Sequence, residues 1–133
     1  KYKGDSKNIV YRSLWERKFM NYCDLNENIL EWASEEFWIP YKDPTTNRVR
    51  RYFPDFFIKY KDKNSNIRRS VIEVKPMRET KEPKATKGKS RKTLINESMT
   101  YAKNQAKWKA AREFCDDRKL EFKIMTEKEL GIR

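Results

Sequence analysis

Residues 52–75 read YFPDFFIKYKDKNSNIRRSVIEVK, and this stretch decides the fold. Two runs rich in Phe, Ile and Val flank the turn-forming residues 61–66, which predicts a pair of neighbouring β-strands. Asp55 lies in the first run, and Glu73 and Lys75 lie near the end of the second. We therefore expect the hairpin to bring two carboxylates and one lysine close together.

These three side chains suit one kind of chemistry. Glu73 and Lys75 are two positions apart, so they project from the same face of a strand. Paired carboxylates are good ligands for Mg²⁺, because hard cations prefer oxygen atoms. A metal held there would activate a water molecule, and a nearby lysine would stabilise charge on a phosphate. The pattern favours metal-dependent phosphodiester hydrolysis; the alternative is an ordinary solvated strand face with no catalytic role.

Helical and strand-like patterns alternate on both sides of this hairpin. We predict helices at 11–23 and 93–116, strands at 29–41, 49–60, 67–76 and 120–125, a hairpin turn at 43–47 and a last turn at 126–130. Pro54 interrupts the second strand, which indicates an edge or a bulge. The order α-β-β-β-α-β in 133 residues suits a single α/β domain. The long helix is expected to contact the sheet through a stripe of Ile95, Met99, Ala102, Ala106, Ala110 and Phe114.

The composition narrows the function further. With 32 Lys and Arg against 20 Asp and Glu, the net charge is +12, which indicates nucleic acid as the first expected partner and an anionic membrane surface as the second. The absence of histidine removes His-based zinc sites and Ser-His-Asp triads. No apolar run approaches the roughly 18 residues of a membrane span, and no signal-peptide pattern is present, so we expect neither insertion nor secretion. Cys23 and Cys115 are isolated, which is typical of buried thiols.

Two segments are polar and basic. Residues 1–10 are expected to form a polar arm, and residues 78–92, with seven basic and two acidic side chains, a mobile loop that grips DNA phosphates. A solvated loop without a role is the alternative. The four tryptophans are expected to pack in the core or at its rim. The DNA-binding candidates are Lys81, Lys84, Lys87, Lys89, Arg91 and Lys92, with Arg48, Arg50 and Arg51 extending the surface.

The spacing of the acids resembles a known signature. Pro54-Asp55, followed 18 residues later by Glu73-Val74-Lys75, resembles the motif of the PD-(D/E)XK nucleases, whose αβββαβ core is the element order predicted above. The chain is most similar to the TnsA-type transposon end-cleaving endonucleases and to the head completion nucleases of tailed myophages, the latter through residues 101–115 and 122–130. The resemblance implies a restriction-endonuclease-like fold across residues 1–133, with a central mixed sheet flanked by helices.

The resemblance also implies the site and its cofactor. Mg²⁺, for which Mn²⁺ could substitute, would be bound by Glu16, Asp55 and Glu73 together with Val74, and Lys75 would be the catalytic lysine. Ser13 and Glu16 equally fit a capping box that closes the start of a helix. Tyr11 already fits the helical stripe, which favours an earlier helix start and a ligand role for Glu16. Gln105 is implied as a supporting residue, and an ordinary surface glutamine is the alternative.

The function implied is that of a DNA endonuclease that processes packaged DNA ends while a filled phage head is completed. Its partners would be DNA and the portal, neck or other head proteins. It would act in the host cytoplasm during virion assembly, with retention in the virion left open. Two alternatives stay open: a non-catalytic protein that closes the head by gripping DNA, and a structure-specific nuclease of recombination or transposition, or one acting on RNA.

Overall fold

The structure is a computed structural model that describes residues 1–4, 14–35 and 37–131. A short 3₁₀ helix, Met77–Thr80, follows the fifth strand. The remaining elements are, in chain order, α1 (Leu14–Leu25), β1 (Ile29–Ser34), β2 (Ile39–Asp43), β3 (Arg48–Tyr52), β4 (Phe56–Lys61), β5 (Ile67–Val74), α2 (Arg91–Asp117), β6 (Glu121–Met125) and α3 (Glu127–Leu130).

The central layer is a four-stranded sheet in the order β1-β4-β5-β6. Strand β4 pairs antiparallel with both β1 and β5, and β6 pairs in parallel with β5 after the α2 crossover. The predicted α/β fold with a mixed central sheet is therefore confirmed. Strands β4 and β5 are the two runs of the opening stretch, and they pair with Phe56 opposite Ile72.

Two of the predicted strands are wrong, because the structure divides each of them into two strands. The first ends where Glu35 adopts a positive φ of 49°, and the second is broken at Pro54, which cannot donate a ladder hydrogen bond. The residues between these breaks form the separate hairpin β2-β3, which turns at 43–47 as predicted. A hydrogen bond of 3.2 Å from the Glu35 amide to the Asp55 carbonyl joins the two breaks. The chain therefore leaves the sheet and returns to it at one place.

Helices cover the sheet from two sides. Phe19, Met20 and Cys23 of α1 pack with Ile72 and Val74 of β5 in one apolar cluster. A second cluster joins α2 to the hairpin and to β6, with Trp108 and Ala111 fully buried. Both cysteines are buried free thiols, as predicted.

The predicted contact stripe of α2 is only partly right. Ile95 and Met99 are 50% and 44% exposed, and the buried residues of the helix begin only at Asn104. Ala106, Ala110 and Phe114 are partly buried against the second cluster. The deepest positions of the helix are Asn104, Trp108, Ala111 and Cys115.

The first residues do not form a free arm in the part of them that is described. Lys3 donates its amide to the Trp32 carbonyl, and the Trp32 amide donates to the Lys1 carbonyl, so residues 1–3 run along the outer edge of β1. The Lys1 ammonium donates to the carbonyls of Cys23, Asp24 and Asn26 at 2.7–2.9 Å, which satisfies the end of α1. The rest of the predicted arm, and the helix start at residues 11–13, lie outside the described residues.

The predicted basic loop is shorter than residues 78–92. The 3₁₀ helix occupies its start, and α2 begins at Arg91, two residues earlier than expected, because Ser90 caps it by accepting the Thr93 amide at 3.1 Å. The mobility of this loop stays a prediction. In the part of the chain that the structure describes, none of the helices combines the length and apolar character that a bilayer span requires.

Candidate active site

The carboxylates of the opening stretch meet where the hairpin rejoins the sheet. Asp55 directly precedes β4, and Glu73 lies next to the end of β5, so the register Phe56–Ile72 makes them cross-strand neighbours. The Val74 amide donates to the Asp55 carboxylate at 2.8 Å and fixes it over the strand end. Both acids line a cavity of about 650 Å³. Its other lining residues include Trp15 and Glu16 of α1, Tyr52 of β3, Lys75, and Lys107 of α2.

Burial dominates the electrostatics of this cavity. It raises the pKa of Asp55 to about 8, and the negative charges of Glu73 and Glu16 push it in the same direction. Burial also raises the pKa of Glu73, which is only 5% exposed. The two ionised acids therefore lower the stability of the fold unless a positive charge lies beside them.

Glu16 completes the acidic group. It lies in the first turn of α1, lines the same cavity, and is close enough to Asp55 to hydrogen-bond it. Ser13, the other half of the capping alternative, lies outside the described residues. The structure therefore brings Glu16 and Asp55 together without deciding between the two roles for Glu16.

Positive and hydroxyl groups surround Glu73. The Lys75 ammonium lies 4.0 Å from its carboxylate, as expected for residues on the same face. The Tyr52 hydroxyl donates to Glu73 at 2.5 Å, and this bond lowers the carboxyl pKa against the effect of burial. Lys107 faces Glu73 from α2, and burial lowers its own pKa.

The sequence did not predict Tyr52 and Lys107 as site residues. Tyr52 was part of the quoted motif, but its partner is 21 positions away and depends on the hairpin leaving the sheet. The signal for Lys107 was the pair Lys103 and Lys107, four residues apart and so on one face of α2. Gln105, two residues before Lys107, is half-buried and does not line this cavity.

The acids fit a divalent cation by their chemistry. Within residues 1–4, 14–35 and 37–131, no three acidic or cysteine side chains are already gathered closely enough to hold a metal. Asp55 and Glu73 nevertheless offer carboxylate oxygen atoms in one cavity, whose mutual repulsion a cation would relieve, and Glu16 is within reach of Asp55. Val74 has an apolar side chain, so only its carbonyl oxygen could serve as a ligand.

The predicted DNA-binding residues fall into two groups. Arg51 lines the acidic cavity and stacks over Trp38 at 4.8 Å, whereas Arg50 pairs at 3.1 Å with the buried carboxylate of Asp43. In the basic segment, Lys89 donates to the Lys84 carbonyl and to Glu97, both at 2.9 Å. The remaining candidates are exposed: Arg48, Lys81, Lys84, Lys87, Arg91 and Lys92.

The fold and the cavity of acids beside a lysine are compatible with an endonuclease. Residues 26–127 match the family model of the TnsA-like endonuclease N-terminal domain, so the chain belongs to the TnsA-like endonuclease family. It is also similar to the head completion nuclease of Enterobacteria phage T4, with 38% identity over 130 residues, 96% of this chain and 84% of that protein. No solved structure matches the chain significantly. The family predicted from the acidic motif is confirmed.

Proposed function

We propose that this protein is a Mg²⁺-dependent DNA endonuclease that processes DNA ends while a phage head is completed. The observation that carries the proposal is that the buried Glu73 and the half-buried Asp55 line one cavity beside Lys75. Two neighbouring acids with raised pKa values weaken the protein unless a cation joins them. A protein that only gripped DNA would gain nothing from this arrangement, which disfavours the non-catalytic alternative.

Each side chain has a role in this proposal. Asp55 and Glu73 would hold the cation, with Glu16 and the Val74 carbonyl completing its protein ligands. When bound, Mg²⁺ supplies a more acidic water and neutralises charge on the phosphate. The Lys75 ammonium, beside Glu73, would orient the attacking water and stabilise the negative charge that develops on the phosphate. The Tyr52 hydroxyl orients the Glu73 carboxylate, and its hydrogen bond offsets part of the rise in the Glu73 pKa that burial causes.

The substrate follows from charge and from the relative. A net charge of +12 favours a polyanion, and Arg51 and Arg78 line the cavity that holds the acids. The similar T4 protein is a head completion nuclease, which makes packaged phage DNA the proposed substrate and the head proteins the proposed partners. Action would take place in the host cytoplasm during virion assembly.

The test is cleavage of plasmid and linear DNA with purified variants. We expect Asp55→Asn and Lys75→Ala to abolish Mg²⁺-dependent cutting, and EDTA to abolish it in the unchanged protein. The matched control is Asp62→Asn, which alters an acid of the β4–β5 turn that pairs with Arg68 at 2.7 Å. Wild-type rates in both site variants, or cleavage that persists in EDTA, would refute the proposal.

A further inference from the structure

A second cavity adjoins the first. It has a volume of about 710 Å³ and lies between the segment after β5 and the first half of α2. Arg78 and Glu79 line both cavities, so the two are neighbours across these side chains. Its volume falls within the range of about 300–1,000 Å³ that is typical of small-molecule sites.

The floor of this cavity carries a buried amide. Asn104 is only 5% exposed and lines the cavity. In the described part of the chain no hydrogen bond joins the Asn104 side chain to another residue, and its amide atoms are not fully enclosed by protein. The amide is therefore available to the hydrogen-bonding edge of a group that enters the cavity.

The same side of α2 offers an aromatic ring. Tyr101, Asn104 and Lys107 follow each other at three-residue spacing, so they lie along one side of the helix. Tyr101 and Asn104 line the second cavity, and Lys107 lines the acidic one. A half-buried tyrosine and an amide one turn apart can stack a planar ring and hydrogen-bond its edge.

The charges at the cavity do not form a phosphate track. Glu79, Glu82 and Glu97 nearly balance Arg78, Lys81, Lys84 and Lys89 around it. Lys89 is already occupied, because it ties the segment to Glu97 and to the Lys84 carbonyl. A ligand with one ring and few charges fits this lining better than a stretch of DNA backbone.

We propose that this cavity binds one unpaired nucleotide of DNA beside the bond that is cut. The base would stack on Tyr101 and hydrogen-bond to the Asn104 amide, and its phosphate would meet Arg78 at the border of the two cavities. This inference rests on the proposed function and sharpens its substrate to DNA ends with unpaired nucleotides. A fully paired blunt duplex has no unpaired base to place in the cavity.

The experiment measures DNA binding in EDTA, so that it does not depend on cleavage. The probes are a fluorescent blunt duplex and the same duplex with three unpaired nucleotides at its 3′ or its 5′ end. We expect the protein to bind one of the overhang duplexes at least about 5-fold more tightly than the blunt one, the change that stacking of a single base supplies. Asn104→Ala and Tyr101→Ala should each remove most of this preference and change the blunt-duplex affinity by less than about 2-fold.

Asn21→Ala, an exposed asparagine of α1, is the matched control and should keep the preference. Tyr101→Ala decides the outcome if Asn104→Ala does not fold. Equal affinity for all three probes, or a preference that survives both variants, overturns the inference. If the protein cleaves DNA but binds all probes equally, the nucleotide site is refuted and the nuclease function stands. If it prefers an overhang but shows no metal-dependent cleavage, the nuclease function is refuted and the nucleotide site stands.

Discussion

The position of Asp55 in the cavity lowers the stability of the fold by an amount that depends on pH. Its pKa is raised to about 8 by burial and by Glu73, whereas in the unfolded chain it is near 3.8. The folded state keeps the proton between these values and the unfolded state loses it, so stability falls as pH rises from about 4 to 8. The chain has no histidine, so few other side chains titrate between pH 5 and 8.

We therefore predict that Asp55→Asn raises the melting temperature in EDTA by about 5 °C at pH 8 and much less at pH 5. Thermal unfolding at the two pH values measures this. Asp62→Asn is the control and should show no such gain, because its carboxylate accepts hydrogen bonds that lower its pKa. A wild-type melting temperature that is level across this range would contradict the predicted coupling.

The hydroxyl of Tyr52 gives a second prediction. Its hydrogen bond lowers the pKa of Glu73, so Tyr52→Phe should raise that pKa and leave more of the carboxyl protonated at neutral pH. We expect the acid limb of the pH–rate profile to move to higher pH, with a higher Mg²⁺ requirement.

The matched control for Tyr52 is Tyr60→Phe. Tyr60 donates at 2.7 Å to Glu121, which is a tyrosine–glutamate pair away from the acidic cavity. Its profile should coincide with that of the unchanged enzyme. If both phenylalanine variants shift the profile equally, the effect belongs to general stability and not to Glu73.

The variant Glu16→Gln distinguishes the two roles of Glu16, cation ligand and helix cap. If Glu16 binds the cation, Glu16→Gln should lower the cleavage rate by orders of magnitude and leave the melting temperature in EDTA unchanged or raised, because it removes a negative charge beside Asp55. If it closes the helix start, the variant should lose about 1 kcal/mol of stability at a nearly unchanged rate. We predict the first result, and measuring the rate and the unfolding of one preparation decides it.

At the scale of elements, the basic segment after β5 has two kinds of lysine. Lys89 is tied to Glu97, whereas Lys84, Lys87 and Lys92 project their side chains to solvent. We predict that replacing these three by Gln weakens DNA binding and flattens its salt dependence by up to about one unit of slope per lost phosphate contact. The rate on saturating DNA should change much less.

The control for this triple variant removes the same charge elsewhere. Lys61 at the end of β4, Lys63 in the β4–β5 turn and Lys119 in the turn before β6 are exposed lysines outside both cavities. Changing them to Gln should leave the salt slope close to that of the unchanged protein. Equal slopes for the two triple variants would show that net charge alone, and not this segment, determines binding.

The two broken strands show why local patterns were insufficient. Runs 29–41 and 49–60 are uniformly rich in β-forming residues, so propensity alone makes each of them one strand. The breaks depend on Glu35 meeting Asp55 through the backbone, a contact between residues 20 positions apart. Pro54 was recognised as a disturbance, but only the folded chain shows that a whole hairpin leaves the sheet there.

At the scale of the whole molecule, the site residues that the sequence predicted are those on one strand or on its hairpin neighbour. Glu73 and Lys75 share a strand, and Asp55 lies on its hairpin neighbour, so strand alternation and register bring them together. Tyr52, Lys107 and Asn104 depend on how the hairpin and α2 pack on the sheet. That packing is tertiary, and the predicted stripe of α2 was accordingly rotated from the real one.

The placement of residues 1–3 along β1 has a consequence for self-association. An outer strand with free amide and carbonyl groups is a template on which another chain can add, and aggregation begins in this way. Here the backbone groups of Lys1 and Lys3 already pair with those of Trp32. The backbone groups of Trp32 are thus already paired within the chain and are not open to a strand from another molecule.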